Sequence, residues 1–230
     1  MLTVGLTSSL ESTLVEGMTS LQGREPGPAL TGQLLHYLAE LRAWNKAYNL
    51  TADADAVEMI RRHLLDSIAI LPFLSDTDDE GAVPATVLDV GTGAGLPGVP
   101  LAMIRPAWSF TLIDSAGKKI RFLRHVVRTL GLANVNPLES RLENYSNPEK
   151  FDVIVSRAFS SLDTFVRSVR HLASANTRII GMKGKYPESE LSELPAWVSV
   201  NAIQKIEVPG LRADRHLVMM SLNTEPNLQE

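Results

Sequence analysis

The chain has 230 residues, 44% of them hydrophobic and 21% charged, which is enough apolar material to bury a core and too little charge for a disordered chain. It contains no cysteine, and this excludes disulfides, thiolate metal sites and a cysteine nucleophile. A net charge of −4 argues against a nucleic-acid binder that uses its whole surface, so any RNA contact falls to a local patch.

No run approaches the roughly 18–20 apolar residues of a membrane span, and no basic region followed by an apolar stretch opens the chain. A cytoplasmic protein with no membrane attachment is expected. Residues 1–80 read as an N-terminal helical extension. A first helix is expected over 10–21, ended by the glycines and prolines of 22–28. A second is expected over 29–44, with Leu34, Leu35, Leu38 and Leu41 on one stripe. A third, over 54–74, buries Met59, Ile60, Leu64, Ile68 and Leu71. The acidic, turn-rich stretch 75–81 is the expected seam.

Residues 81–230 read as an α/β domain. Strands are expected at 86–90, 110–114, 135–138, 151–155 and 178–182, with helices at 96–104, 118–130 and 162–172. Segments 197–205 and 216–222 alternate as strands and are expected to close the sheet as an antiparallel pair. The result is a mostly parallel seven-stranded sheet with helices on both faces.

The first strand runs into Asp89-Val90-Gly91-Thr92-Gly93-Ala94-Gly95-Leu96-Pro97-Gly98. A strand, a glycine-rich turn and a helix make a nucleotide or anion site, because the backbone can approach a ligand with no side chain in the way. Asp114 ends the next strand, where a carboxylate accepts hydrogen bonds from ribose hydroxyls. The spacing of Gly93, Gly95 and Gly98 also satisfies the dinucleotide fingerprint, so a nicotinamide or flavin ligand stays open. Three features favour S-adenosylmethionine. Asp89 is placed to meet a ligand ammonium or to order the loop. Pro97 supplies no N–H to a pyrophosphate. The chain is too short for the second substrate domain of a dehydrogenase.

At about 100° per residue, Lys118, Arg121, Arg124, His125 and Arg128 fall within about 120° of the helix over 118–130. Ile120, Phe122, Leu123, Val126, Val127 and Leu130 fill the opposite side, and only Lys119 strays among them. This cationic stripe suits either a solvated surface or contacts to RNA phosphates. Arg61, Arg62, His63 and Lys46 are candidates to extend it. After the fourth strand come Ser156-Arg157-Ala158-Phe159, without the Asn/Asp-Pro-Pro-aromatic turn typical of amino-methylating enzymes. With no cysteine for cytosine C5 chemistry either, a substrate atom that is already nucleophilic fits, and guanine N7 is one. Arg157 is then a positioning residue, or else a surface ion-pair partner. Lys183 and Lys185, after the fifth strand, suit either RNA phosphates or solubility.

Taken together, several stretches resemble the small-subunit ribosomal RNA methyltransferase G family, also called glucose-inhibited division protein B. They are Trp44 through Thr51, Arg62 through Ser67, Asp89 through Pro100, Phe110 through Ser115 with Lys118 to Arg124, Ser156 through Phe159, Met182 through Gly184, and Arg215 through Val218. The resemblance implies a class I, Rossmann-like methyltransferase that methylates guanine N7 of 16S ribosomal RNA, free or in the small ribosomal subunit. S-adenosylmethionine is the implied donor and S-adenosylhomocysteine the product. A monomer is expected, and no general base and no metal are expected. The alternative is a methyltransferase of this fold acting on a small molecule or another RNA. The implied cofactor contacts are Gly91 and Leu96, Asp114 and Ser115, Leu142 and Glu143, and Arg157, beside Asp89 and Gly93 from the loop itself. Lys118, Arg121, Arg124, Arg128, Lys183 and Lys185 are the candidate RNA contacts.

Overall fold

A computed structural model of the chain describes residues 4–53, 55–74, 85–157 and 159–223; the acidic connection at 75–81 lies outside them. Helix α1 (Val4–Gln22) stops at Gly23, which takes φ +69. Pro28 opens α2 (Pro28–Tyr48), where its missing N–H falls on a position that has no helical acceptor anyway. Asp55 caps the third helical run by accepting from Glu58 N at 2.9 Å. That run is α-helical over Ala56–Met59 (α3), π-helical over Ile60–Leu65, and α-helical again over Asp66–Ile68 (α4). The wide turn breaks the simple stripe, and every residue from 63 to 71 is buried. The helix expected to reach residue 74 ends at 68, and Pro72, which has no N–H to donate, lies in a 3₁₀ turn over Leu71–Phe73.

The sheet has seven strands in the order β3-β2-β1-β4-β5-β7-β6. These are β1 (Thr86–Val90), β2 (Ser109–Asp114), β3 (Val135–Glu139), β4 (Val153–Ser156), β5 (Arg178–Lys183), β6 (Val198–Ile206) and β7 (Arg215–Leu222). The first five pair in parallel, and β7 lies antiparallel between β5 and β6, as the alternation at the end of the chain predicts. The crossover helices are α5 (Gly98–Ile104), α6 (Gly117–Leu130) and α7 (Leu162–Val169). A short helix α8 (Glu188–Ser192) was not foreseen; it buries no residue and so leaves no apolar period to read.

Successive residues of β1 feed opposite faces. Val87 joins a core with Phe110, Leu112, Val153 and Ile180, covered by α5, α6 and the N-terminal helices. Leu88 and Val90 join Ile113, Ile154 and Ile179 under Leu162, Phe165, Val166 and Val169 of α7. Strand order reverses between β1 and β4, and ligands of open α/β sheets bind beyond the strand ends at such a point.

Candidate active site

The glycine turn leaves β1 at this reversal. Gly91 takes φ +66, and a Cβ there would meet nothing within 4 Å, so the turn has an open side. Gly91 N and Thr92 N both donate to Ile113 O, at 2.9 and 3.1 Å, latching the turn to β2. Asp89 is on the face of β1 that lies beneath α5 and has no exposed surface. Its Oδ2 accepts from Thr92 Oγ1 at 2.7 Å and from Gly98 N at 2.9 Å. Of the two roles read for Asp89, ordering the loop is the one these bonds perform. A Cβ at Gly98 would lie 2.8 Å from Asp89 Oδ2, so only glycine allows this approach. Burial raises the Asp89 pKa from 3.8 to about 6, against the lowering effect of its two donors, and its Oδ1 has no partner.

The cap decides a chemical question. In a dinucleotide site the amides at the start of this helix face a pyrophosphate. Here the Gly98 amide is already taken by the protein's own carboxylate, and Pro97 before it has no N–H. The turn therefore suits a ligand without a phosphate at this position. Leu96, expected as a contact, has its side chain in the core at 3% exposure, so only its backbone can face a ligand.

Asp114 ends β2 with three protein donors: Gly93 N at 3.0 Å, Ala116 N at 2.9 Å and Lys119 Nζ at 3.0 Å. A carboxylate has about four acceptor positions, so one remains for a ribose hydroxyl. Lys119, the cation out of place in the apolar arc of α6, is explained by this ion pair. Ser115 is exposed after β2, and beyond β3 a 3₁₀ turn over Leu142–Asn144 buries the Leu142 side chain and exposes Glu143. Gly91, Asp114, Ser115, Leu142 and Glu143 thus lie along the carboxyl ends of β1, β2 and β3, a rim with open backbone, a carboxylate with one acceptor position left and a further carboxylate. This donor and acceptor set fits S-adenosylmethionine.

Arg157 lies on the other side of the reversal. Ser156 before it donates to Val90 O at 2.8 Å and ties the end of β4 to the end of β1. Arg157 Nη1 donates to Arg62 O at 3.2 Å and pairs with Asp66 at 3.5 Å, and Arg215 Nε from β7 reaches the same carboxylate at 2.6 Å. These groups line a cavity of 310 Å³ with Asp53, His63, Met182 and Lys183 among others. His63 is buried, with Nε2 2.7 Å from Thr51 Oγ1 and 3.3 Å from Asp53. Burial, with the Arg157 charge second, holds its pKa below the usual histidine value, so it is neutral near pH 7.

The cationic candidates divide. Arg121, Arg124 and Arg128 are exposed on α6 and make no ion pair among the described residues. Lys118 is exposed too and donates to Tyr48 O at 2.9 Å. His125 leaves the stripe: it is half-buried, 2.7 Å from Glu40 and packed on Trp44. Lys185 is exposed, whereas Lys183 turns inward, 13% exposed, to Glu190 at 2.7 Å. Nor does His63 extend a surface patch, since it is buried in the cavity wall.

Spacing gave no sign of Asp66, Arg215 or Tyr37 as parts of the site. Tyr37 of α2 is fully buried and donates to Ala94 O in the glycine turn at 2.7 Å. The stretches Trp44–Thr51 and Arg62–Ser67 also acquire a role. Asn45 Oδ1 accepts from Thr51 N at 2.8 Å, Asn49 closes α2 in the left-handed region, and the resulting turn delivers Thr51 to His63.

Residues 31–218 match the model of the family described as rRNA small subunit methyltransferase G. The Ribosomal RNA small subunit methyltransferase G of Salmonella arizonae is 45% identical over 203 residues, covering 86% of this chain and 94% of that protein. The protein of the same name from Escherichia coli is 43% identical over 208 residues, covering 89% and 97%. Among solved structures, a SAM-dependent methyltransferase from Aquifex aeolicus superposes with a TM-score of 0.53 at 22% identity, over 70% of this chain and 93% of that one. TrmN from Thermus thermophilus gives 0.54 at 16% identity, over 71% and 53%. At these identities the two structures speak for the fold.

Proposed function

The chain belongs to the rRNA small subunit methyltransferase G family, and on that premise we propose that it transfers a methyl group from S-adenosylmethionine to N7 of a guanine in 16S ribosomal RNA. Family membership makes it an S-adenosylmethionine-dependent rRNA methyltransferase. The atom, the RNA species and a monomeric enzyme at work in the cytoplasm are the finer reading. No helix among the described residues is long and apolar enough to cross a membrane.

The observation that carries the donor assignment is the Asp89 carboxylate on the Gly98 amide, where a dinucleotide would need its pyrophosphate. S-adenosylmethionine supplies an electrophilic methyl group on a sulfonium. Gly91 and Gly93 offer backbone beside it, Asp114 a remaining acceptor position, and the Leu142 backbone and Glu143 a wall beyond β3. Guanine N7 carries a lone pair and no proton, so the protein's task is alignment. This agrees with a cavity whose one histidine is held neutral and engaged by Thr51. The exposed cations of α6, with Lys185 beyond β5, are suited to the RNA backbone.

The test is transfer of labelled methyl to 16S RNA and to small subunits, followed by mapping of N7-methylguanine by chemical cleavage. One modified guanine, absent from RNA of cells that lack the gene, is expected. Label in another base, or no transfer to either substrate, would overturn the reading.

A further inference from the structure

We propose that Tyr186 is a stacking platform for the RNA base next to the target guanine, with Lys185 on the adjoining phosphate. This deepens the reading above and rests on it. Among the described residues, Tyr186 at 54% and Val200 at 39% are the exposed large apolar side chains. Val200 pairs with Met220, toward the end of β7 away from the cavity. Tyr186 stands at the cavity mouth. Lys183 and Gly184, which precede Lys185 in the chain, line the cavity. His216, beside Tyr186 in space, pairs with Lys183 across β5 and β7.

The ring is held in place as well as exposed. It meets the buried His216 ring at 88°, with centroids 5.8 Å apart, and Pro187 next to it in the chain is buried. The turn is fixed further through α8. Glu190 Oε2 accepts from Lys183 Nζ at 2.7 Å and from Leu162 N at 2.7 Å, which joins the end of β5 to the start of α7. A helix that buries no residue thus has a task that core packing does not supply: it frames the turn that carries Lys185 and Tyr186. Lys185 is exposed and makes no ion pair among the described residues. A flat aromatic surface beside a spare cation is the combination that holds single-stranded nucleic acid. The reaction calls for such a surface. N7 of a paired guanine lies in the major groove, which in A-form RNA is too deep and narrow for side chains to enter. To meet a methyl group at the carboxyl ends of the strands, the guanine has to leave its stack. Its neighbour then loses a stacking partner, and the Tyr186 ring takes that place. Every base has a π-face, so Tyr186 adds affinity and placement without choosing sequence.

The experiment measures methyl transfer by the full chain against the concentration of 16S RNA, or of small subunits if only these accept methyl. S-adenosylhomocysteine binding is measured in parallel by calorimetry. Tyr186→Ala is expected to raise KM for RNA about fivefold or more, the lower end of what one base stacked on an aromatic ring contributes. kcat and S-adenosylhomocysteine affinity should stay within about twofold of the native values, since the ring touches the RNA beside the reacting base. Tyr186→Phe keeps the ring and should keep the native KM. Salt separates the two residues. Stacking releases no counterion, so Tyr186→Ala should leave the slope of log KM against log salt as it is, whereas Lys185→Ala should reduce it by about 0.7. An unchanged KM in Tyr186→Ala would overturn the platform. So would a Phe variant as poor as the Ala variant, which would assign the hydroxyl and not the ring. A parallel loss of S-adenosylhomocysteine affinity would overturn it too, by making Tyr186 a brace for the fold. A native chain that methylates neither RNA nor subunit is a separate result, read from the native control alone, and would overturn the function and the platform with it.

Discussion

Asp89 and Tyr37 act on one turn from two sides, Asp89 through Thr92 and Gly98 and Tyr37 through the carbonyl of Ala94. Burial pushes the Tyr37 hydroxyl far above its ordinary pKa, so it remains a donor at every working pH. Tyr37→Phe leaves a buried carbonyl without its donor, at about 1–3 kcal/mol. S-adenosylhomocysteine affinity is expected to fall several-fold by calorimetry, with the ligand-free Tm lowered by a few degrees. Unchanged affinity would show that the bond holds the helix and not the turn. Asp89 yields a pH prediction. Its folded pKa of about 6 is above the ordinary 3.8, so the folded chain binds the proton more tightly than the unfolded chain does. This contribution favours folding at low pH, declines as pH rises from about 4 to 6, and is absent above. Its size is on the order of 3 kcal/mol, set by the distance from 3.8 to about 6. Asp89→Asn keeps an acceptor for Thr92 and Gly98 and does not titrate. Measured as variant minus wild type, unfolding free energy should shift in the variant's favour by about that amount between pH 4 and 7. A flat difference would mean that Asp89 titrates normally.

At the scale of elements, α6 was legible because its two sides differ in chemistry at helical period: Ile120, Phe122, Leu123 and Val126 are buried, while Arg121, Arg124 and Arg128 are exposed. The glycine turn was legible because strand, glycines and carboxylate are adjacent in sequence. The cavity was not, since Asp66 meets Arg157 and Arg215 across 91 and 149 residues and no local pattern encodes such a meeting. The π-helical turn escaped for a related reason: tertiary burial of the run from 63 to 71 overrides helical period. Angle alone puts His125 on the stripe, and angle does not reveal that Glu40 of α2 lies beside it. Among the described residues the stripe proper has no such partner, and charge reversal at Arg121, Arg124 and Arg128 tests it. Methyl transfer to RNA should fall at least tenfold near 0.1 M salt, mainly through KM, with a shallower salt dependence and unchanged S-adenosylhomocysteine binding. Retained transfer would mark the stripe as a solvated face and leave the RNA contact to other residues.

At the scale of the whole molecule, the boundary near residue 80 separates two kinds of sequence but does not separate two cores. Tyr37, Leu38, Leu41, Met59, Ile60 and Leu64, each at most 2% exposed, belong to the same cluster as Val87, Val99, Phe110 and Phe122. Tyr37 also bonds the glycine turn, and Asp66 bonds Arg157 after β4 and Arg215 at the start of β7. At roughly 1.5–3 kcal/mol for each large apolar side chain, exposing the surface these six cover costs on the order of 10 kcal/mol. A domain's total stability is of that same order. A fragment beginning at residue 85 retains all seven strands yet loses the cover of one face. It is expected to bind an apolar dye, to unfold without a cooperative transition and to show no affinity for S-adenosylhomocysteine. The full chain should give a single calorimetric transition that S-adenosylhomocysteine moves upward as one. A fragment that melts cooperatively and binds the ligand, or a full chain with two transitions of which only one responds, would mean that the helices are an appendage. The shared core instead makes them the floor of the cavity, since the arginines after β4 and at the start of β7 have their common carboxylate on a helix that precedes the sheet.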